Sequence, residues 1–328
     1  MQDARTSRRS GLEAEPIDAL EKRPVLAPAS KTAFTLVELL VVLGILSALA
    51  AITVPALSLA RAKVTELKGM ANLKSIALPL NAFANDHEDR YPPSMGAVGF
   101  GPGWNWHDPR KLVAVNERVP GIHRSVSAYL RDYIDDAKVL SCPAVPGACT
   151  YLQQMWDAGD NWDNPATPAT TKDLFTGSFC LYWNYEGLLD TRTKRLFKGP
   201  WGPACGKAYS RLLASDHFGY GNGLDIPPSF SYASCEPFDD AGINDKADMP
   251  RWVSLAPGPG NVPPPVETFP RISLKAVYTD GHVERYSSSD VVPMWVIVNR
   301  ADLTAYKIDG TQGTPGLFFL PANAVPAR

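Results

Sequence analysis

The sequence predicts an α+β protein in which a long N-terminal hydrophobic helix packs on an antiparallel β-sheet carrying loop-rich insertions. Three observations predict it. Residues 33–60, AFTLVELLVVLGILSALAAITVPALSLA, form an apolar run broken by one acid, Glu38, near its start. Apolar residues then recur at three- and four-residue steps from Leu67 to Phe83, and an alternating strand runs up to Asp280-Gly281. The run is long enough to cross a membrane as a helix, the stripe needs a sheet to cover it, and the Asp-Gly pair joins antiparallel strands.

The first element is the apolar span. From Leu39 to Ala60 no side chain is charged. A carboxylate at bilayer depth costs about 2.5–3.5 kcal/mol when unpaired, so Glu38 calls for a partner. The order Phe34-Thr35-Leu36-Val37-Glu38-Leu39-Leu40-Val41-Val42, preceded by Lys31 and Ala33, resembles the prepilin signal of type IV pilins and type II secretion pseudopilins. That resemblance implies cleavage by a prepilin peptidase between Ala33 and Phe34 on the cytoplasmic side, with methylation of the Phe34 amine. Glu38 becomes the fifth mature residue, and in the family this acid meets the N-terminal amine of a neighbouring subunit during filament assembly. Pro55 matches the family's helix proline, where a missing N–H weakens the helix. Where the family usually has Gly before the cut, this chain has Ala33.

A secretory signal peptide fits less well, since its apolar region covers about 7–15 residues and ends in a small-residue cleavage site. The basic residues do not set the orientation. Lys22, Arg23 and Lys31 precede the span, but Arg61, Lys63 and Lys68 follow it. An inner-membrane, single-pass arrangement, with a cytoplasmic leader and a periplasmic or extracellular C-terminal domain, is therefore what the resemblance implies.

The organisation that follows is a leader at 1–33, a transmembrane and assembly helix at 34–60, the soluble half of the same helix at 61–91, and an extracytoplasmic globular domain at 92–328. About 240 residues beyond the helix suffice for one large domain with its own core. A net charge of −2 and a pI of about 6.2 give no reason to expect nucleic acid as a partner. With 30 Pro and 25 Gly, the body should be rich in loops.

In the soluble half, the expected buried stripe is Leu67, Met70, Leu73, Ile76, Ala77, Leu80 and Phe83, with Lys63, Glu66, Lys68, Lys74 and Asn81 between. Pro79 should interrupt the last turns, and the helix should end at Asn85-Asp86-His87 before Tyr91-Pro92-Pro93. Further on, short strands are expected at Ser178–Tyr185, Arg211–Ala214 and Trp252–Leu255, with a helical patch at Val126–Ile134 and a loop over Pro257–Pro265. Ile272, Leu274, Ala276 and Tyr278 alternate up to Asp280-Gly281, and His282 to Tyr286 follow. A two-residue type I′ hairpin fits this pattern, because Asp-Gly supplies its positive φ angles.

The Asp280-Gly281-His282-Val283 core also resembles a motif at the C-terminal end of large pilin-like proteins of planctomycete and verrucomicrobial lineages. Cys142-Pro143 and Leu212-Leu213-Ala214-Ser215-Asp216 are further partial matches to that group. Its upstream His is absent here, Pro270 standing ten positions before Asp280, so no role attached to that His is carried over.

Two constellations suggest chemistry. Asp216, Asp280 and His282, with His217, would form a site for a divalent cation such as calcium if the strand ending at Ala214 lay beside the hairpin. The turn alone already accounts for Asp280. Trp104, Trp106, Trp156, Trp162 and the run Leu181-Tyr182-Trp183-Asn184-Tyr185 would stack on sugars if exposed, or anchor the core if buried. All five cysteines, Cys142, Cys149, Cys180, Cys205 and Cys235, lie beyond the span, and the count is odd. Cys142 and Cys149 form the pair most easily closed by local chain geometry.

No GxSxG elbow, HExxH helix, phosphate loop or dinucleotide fingerprint is present. The expected function is thus structural and non-enzymatic, without a resident cofactor: a minor pilin or pseudopilin of a type IV pilus or type II secretion pseudopilus. Its partners would be the prepilin peptidase, other pilin or pseudopilin subunits and the inner-membrane platform protein. The alternative is a membrane-anchored glycan-binding or adhesin protein using the same export route.

Overall fold

Leu36 to Asp86 form one continuous helix, α1, whose N-terminal part is apolar on every side and whose C-terminal part is striped. The computed structural model describes residues 35–97, 108–116, 122–143, 151–165, 175–223, 226–233, 273–305 and 315–326. Two compact units divide the chain, residues 1–54 and 55–328, and the boundary falls inside α1. Residues 35–61 are all exposed, and α1 is long and apolar enough to cross a membrane.

In the larger unit, α1 buries Glu66, Gly69, Leu73, Ile76, Ala77, Leu80, Phe83 and Ala84. Three positions differ from the expected stripe. Leu67 is exposed and Met70 only partly covered, while Glu66 is buried because Lys63 reaches it at 2.5 Å and Arg285 at 3.7 Å. Pro79 does not interrupt the helix, which continues to Asp86. Its missing N–H forfeits one backbone bond, but Leu80, Phe83 and Ala84 beyond it are held by the core. A buried Leu or Ile contributes about 1.5–3 kcal/mol, so a few such contacts outweigh one lost bond.

Among the described residues the strands form three sheets. β1 (Lys111–Asn116), β2 (Ile122–Ser125) and β3 (Phe175–Thr176) make an antiparallel sheet in the order β2-β1-β3. Around it lie α2 (Ser127–Leu130) and α3 (Leu152–Ala158), α2 being the short remnant of the helix expected over Val126–Ile134. The main sheet contains β4 (Phe179–Leu181), β5 (Glu186–Asp190), β6 (Arg195–Lys198), β7 (Leu212–Gly223), β8 (Ile226–Ala233), β9 (Ser273–Tyr278), β10 (Val283–Ser287), β11 (Val291–Trp295) and β14 (Pro315–Pro321). β12 (Ile297–Asn299) and β13 (Thr304–Ala305) form a separate pair.

The main sheet runs β10-β9-β7-β14-β11-β5-β6, with β4 and β8 also pairing with β7, and all the pairings are antiparallel. β7 is far longer than the strand expected at Arg211–Ala214 because β4, β8, β9 and β14 all pair along it. Both faces of this sheet are covered. On one face Leu213, Ala214, Val277, Phe179 and Leu181 pack with the α1 stripe. On the other, Leu212, Phe218, Leu274, Ala276, Met294, Phe318 and Phe319 form a second core. The protein is therefore α+β, with a long N-terminal helix packed on an antiparallel sheet. The strand expected at Trp252–Leu255 and the loop over Pro257–Pro265 lie outside the described residues.

The hairpin joining β9 and β10 stands where the sequence places it, but its turn differs. Val277 pairs with Val283, and Tyr278 N donates to His282 O at 3.1 Å, leaving a three-residue loop of Thr279, Asp280 and Gly281. Gly281 N donates to Tyr278 O at 2.8 Å, closing a type I turn. Gly281 alone takes positive φ, +81°, and Asp280 does not. This is the three-residue loop ending in a left-handed Gly, which suits the strand twist as well as type I′ does.

Candidate functional site

Ala33 and Phe34, expected to flank a cleavage site, lie outside the described residues, and the described part of this segment begins at Thr35. Thr35 and Glu38 form a capping box. The Glu38 carboxylate accepts from Thr35 N and from Thr35 Oγ1, each at 2.8 Å, and Glu38 N donates to Thr35 Oγ1 at 3.2 Å. Two orphan N–H groups at the start of α1 are thereby satisfied within one turn. The acid thus has a local partner, and it also sits where the helix dipole favours negative charge. Beyond it, Leu39, Leu40, Val42, Leu43, Leu46 and Leu49 are about half exposed, a continuous apolar surface with no other charge. Pro55 sits within α1 without ending it, and Ser58 Oγ donates to its carbonyl at 2.8 Å.

The proposed metal ligands do not converge. Asp280 and His282 meet each other, His282 Nδ1 lying 2.5 Å from Asp280 Oδ1 and His282 N donating to the same oxygen at 3.1 Å. Both side chains are about half exposed, and the His282 ring stacks on Tyr278 with centroids 4.4 Å apart. Burial pulls the Asp280 carboxyl up, but the hydrogen bonds and charge of His282 outweigh it and leave it below the ordinary carboxylate range. Asp216 is elsewhere. It is fully buried beside Lys275, five residues back along β9 from Asp280, roughly 16 Å at the rise of a strand. Lys275 Nζ lies 3.6 Å from Asp216 Oδ2, and Lys275 N donates to the same oxygen at 3.1 Å. An ammonium already pairs with this carboxylate, so it is a poor place for a second cation. Among the described residues no group of three metal-ligating side chains is present.

Next to this pair lies a buried polar layer that the sequence reading did not identify. Asp108 grips Arg110 through a fork, Nε to Oδ1 at 3.0 Å and Nη2 to Oδ2 at 2.7 Å, with Lys111 also buried. Burial pushes the Asp108 carboxyl up, yet the Arg110 guanidinium, by charge and by hydrogen bonds, holds it below the usual range. The guanidinium also stands 5.6 Å over the Phe318 ring. His217, buried against Phe318, is kept far below the ordinary imidazole range, first by burial and then by the Arg110 charge. It is neutral at pH 7. Asp108–Arg110 and Asp216–Lys275 are thus two pairs of opposite charge within this layer, with Lys111 a further buried cation beside the first.

The aromatic set divides. Trp156, Trp162, Tyr182, Trp183 and Tyr185 are buried, so their rings anchor the core and present no face for a sugar. Trp104 and Trp106 lie outside the described residues. Cys142 is buried and its backbone N donates to Ser178 Oγ, while Cys149 lies outside the described residues, so the pairing of the two is not placed. Cys180 and Cys205 stand as buried thiols, and burial pushes both upward in pKa. Comparison of the chain with protein-family models, with curated proteins and with solved structures found no match.

Proposed function

We propose that this protein is a membrane-held, non-enzymatic subunit, a minor pilin or pseudopilin, of a type IV pilus or type II secretion pseudopilus. The observation that supports the reading is α1 itself: an exposed apolar segment opening on a Thr35–Glu38 cap, followed in the same helix by a stripe that packs on a sheet. A helix that only anchored the domain would need no acid near its start, whereas a helix that passes from bilayer to filament exchanges its lipid contacts for those of neighbouring helices. Glu38 then has two roles, capping its own helix and offering charge to the amine that cleavage creates on the next subunit. In this reading a prepilin peptidase cuts between Ala33 and Phe34, the leader is cytoplasmic, and residues 92–328 lie outside the inner membrane. A platform protein and other subunits complete the assembly.

Mass spectrometry of the protein extracted from native membranes tests it. The expected N-terminus is methylated Phe34, in a chain that co-purifies with other subunits bearing the same type of N-terminal helix. Recovery of the intact chain from Met1, with no such companions, would refute the reading.

A further inference from the structure

A cleft in the larger unit encloses about 430 Å³, within the size range of small-molecule sites, and among its described lining residues gathers three cations, Arg90, Lys198 and Arg300, and one carboxylate, Glu186. None of these residues belongs to the assembly helix or to the hairpin. The cations are held in place by what surrounds them. Arg90 stands 5.9 Å over the Trp201 ring, Lys198 stands 5.9 Å over the Tyr209 ring, and Arg300 pairs with Glu186 at 2.8 Å.

The walls are equally fixed. Tyr91 N donates to Trp201 O at 2.8 Å, and Asn184 Nδ2 donates to the carbonyls of Tyr91 and Pro92 at 3.0 and 2.9 Å. Gly199 N donates to Tyr185 O at 2.8 Å, and a Cβ on Gly199 would fall 1.6 Å from Tyr182 O, so the two wall segments meet at a distance only Gly allows. The cleft is thus formed before any ligand arrives, which lowers the ordering cost of binding.

We propose that this cleft binds an acidic sugar, one or two rings carrying a sulfate or carboxylate. The surplus of cations supplies charge-assisted hydrogen bonds to the anionic group. Glu186 accepts from ring hydroxyls, and the half-buried rings of Trp201 and Tyr209 give apolar edges against which a pyranose can lie. A lone tetrahedral oxyanion would leave most of the volume empty, and a neutral sugar would leave the cations unused. The inference does not depend on the filament reading, since a cleft of this kind serves an anchored protein as well as an assembled one.

Isothermal titration calorimetry on the detergent-solubilised full chain tests it, with glucose 6-sulfate and galacturonate as probes and glucose, inorganic sulfate and adenosine monophosphate as comparators. The acidic sugars should saturate one site, bind at least tenfold more tightly than glucose or inorganic sulfate, and weaken as salt is raised. Arg90→Gln and Lys198→Gln should each lower that affinity about tenfold at unchanged melting temperature, because Arg90 is exposed and Lys198 half-exposed. Absence of saturation, equal binding of inorganic sulfate or glucose, tighter binding of the nucleotide, or full affinity in both variants would each overturn the proposal.

Discussion

Replacing Lys275 by Met separates a structural ion pair from a metal site waiting to be filled. Lys275 and Asp216 are both fully buried, with Nζ and Oδ2 3.6 Å apart. At an effective dielectric near 20 their attraction is about 5 kcal/mol, most of it offset in the native protein by the cost of taking both ions out of water. Met matches the length of the Lys stem but removes the charge, so the variant leaves the Asp216 carboxylate without its ammonium in the middle of the sheet. Breaking such a pair typically costs about 3–5 kcal/mol, a large share of the stability of an ordinary domain. The double variant Asp216→Leu, Lys275→Met removes both ions and should recover most of the loss. Urea unfolding of the full chain in detergent, followed by the fluorescence of the buried Trp156, Trp162 and Trp183, reads both changes. If Lys275→Met costs less than about 1 kcal/mol, or if the double variant is no more stable than the single one, the pair does not carry the energy assigned to it. Calcium provides the complementary readout, because a ligand that binds only the native state raises its stability by mass action. No melting shift with calcium is expected in the parent.

Three further outcomes follow from the same geometry. Glu38→Gln keeps a side chain that can accept from Thr35 N and should insert and be cleaved normally while assembling poorly, whereas Glu38→Ala should lose that reciprocal hydrogen bond as well; sedimentation of filaments from the two variants checks this, and normal assembly of Glu38→Gln would remove the acid's intersubunit role. His217 is buried neutral and its folded pKa lies well below the unfolded 6.5, so the unfolded state binds more protons between the two values and stability must fall as pH drops below about 6.5, by up to about 1.4 kcal/mol per pH unit; urea titrations from pH 7.5 to 5 should show this slope, and His217→Phe should flatten it. Gly281→Val forces a β-branched residue to φ +81° and should cost more than 1 kcal/mol, while Asp280→Asn, which still accepts from His282 N, should stay within about 1 kcal/mol of the parent; thermal melts of both variants decide it.

How far the sequence revealed the fold depended on the range of the interactions involved. The apolar span, the helix end near Asp86 and the existence of the β9–β10 hairpin rest on local periodicity and turn chemistry, and they stand in the structure where the residues place them. The turn type did not follow, because Asp-Gly suits both a two-residue and a three-residue loop. The register of Val277 against Val283, set by the strands and not by the turn, selects the latter. Glu66 has the same kind of explanation. Its polarity assigns it to solvent, and its burial is offset by Lys63 one turn back and by Arg285 from a distant strand, the second of which no local pattern announces.

The candidate sites divide along that line. Thr35 and Glu38 stand at capping-box spacing and were open to reading from four residues. Lys275 was a weaker signal, a cation inside an alternating apolar strand. Since every residue of β9 is buried, the strand has no solvent face on which to place it, and a buried Lys demands a buried acid. That acid is Asp216, one of the residues the metal reading had singled out for another partner. Arg90, Lys198 and Arg300 carry no mutual signal at all, because three separated segments bring them to one cleft and each alone looks like a solvated surface charge. Where opposite charges are buried together, as Asp108 with Arg110 and Asp216 with Lys275, each answers the other within the fold. Where like charges are held together at a surface by aromatic rings, with one acid among the described residues of the cleft, the cations outnumber the acid, and that excess is the physical ground for seeking an anionic ligand there.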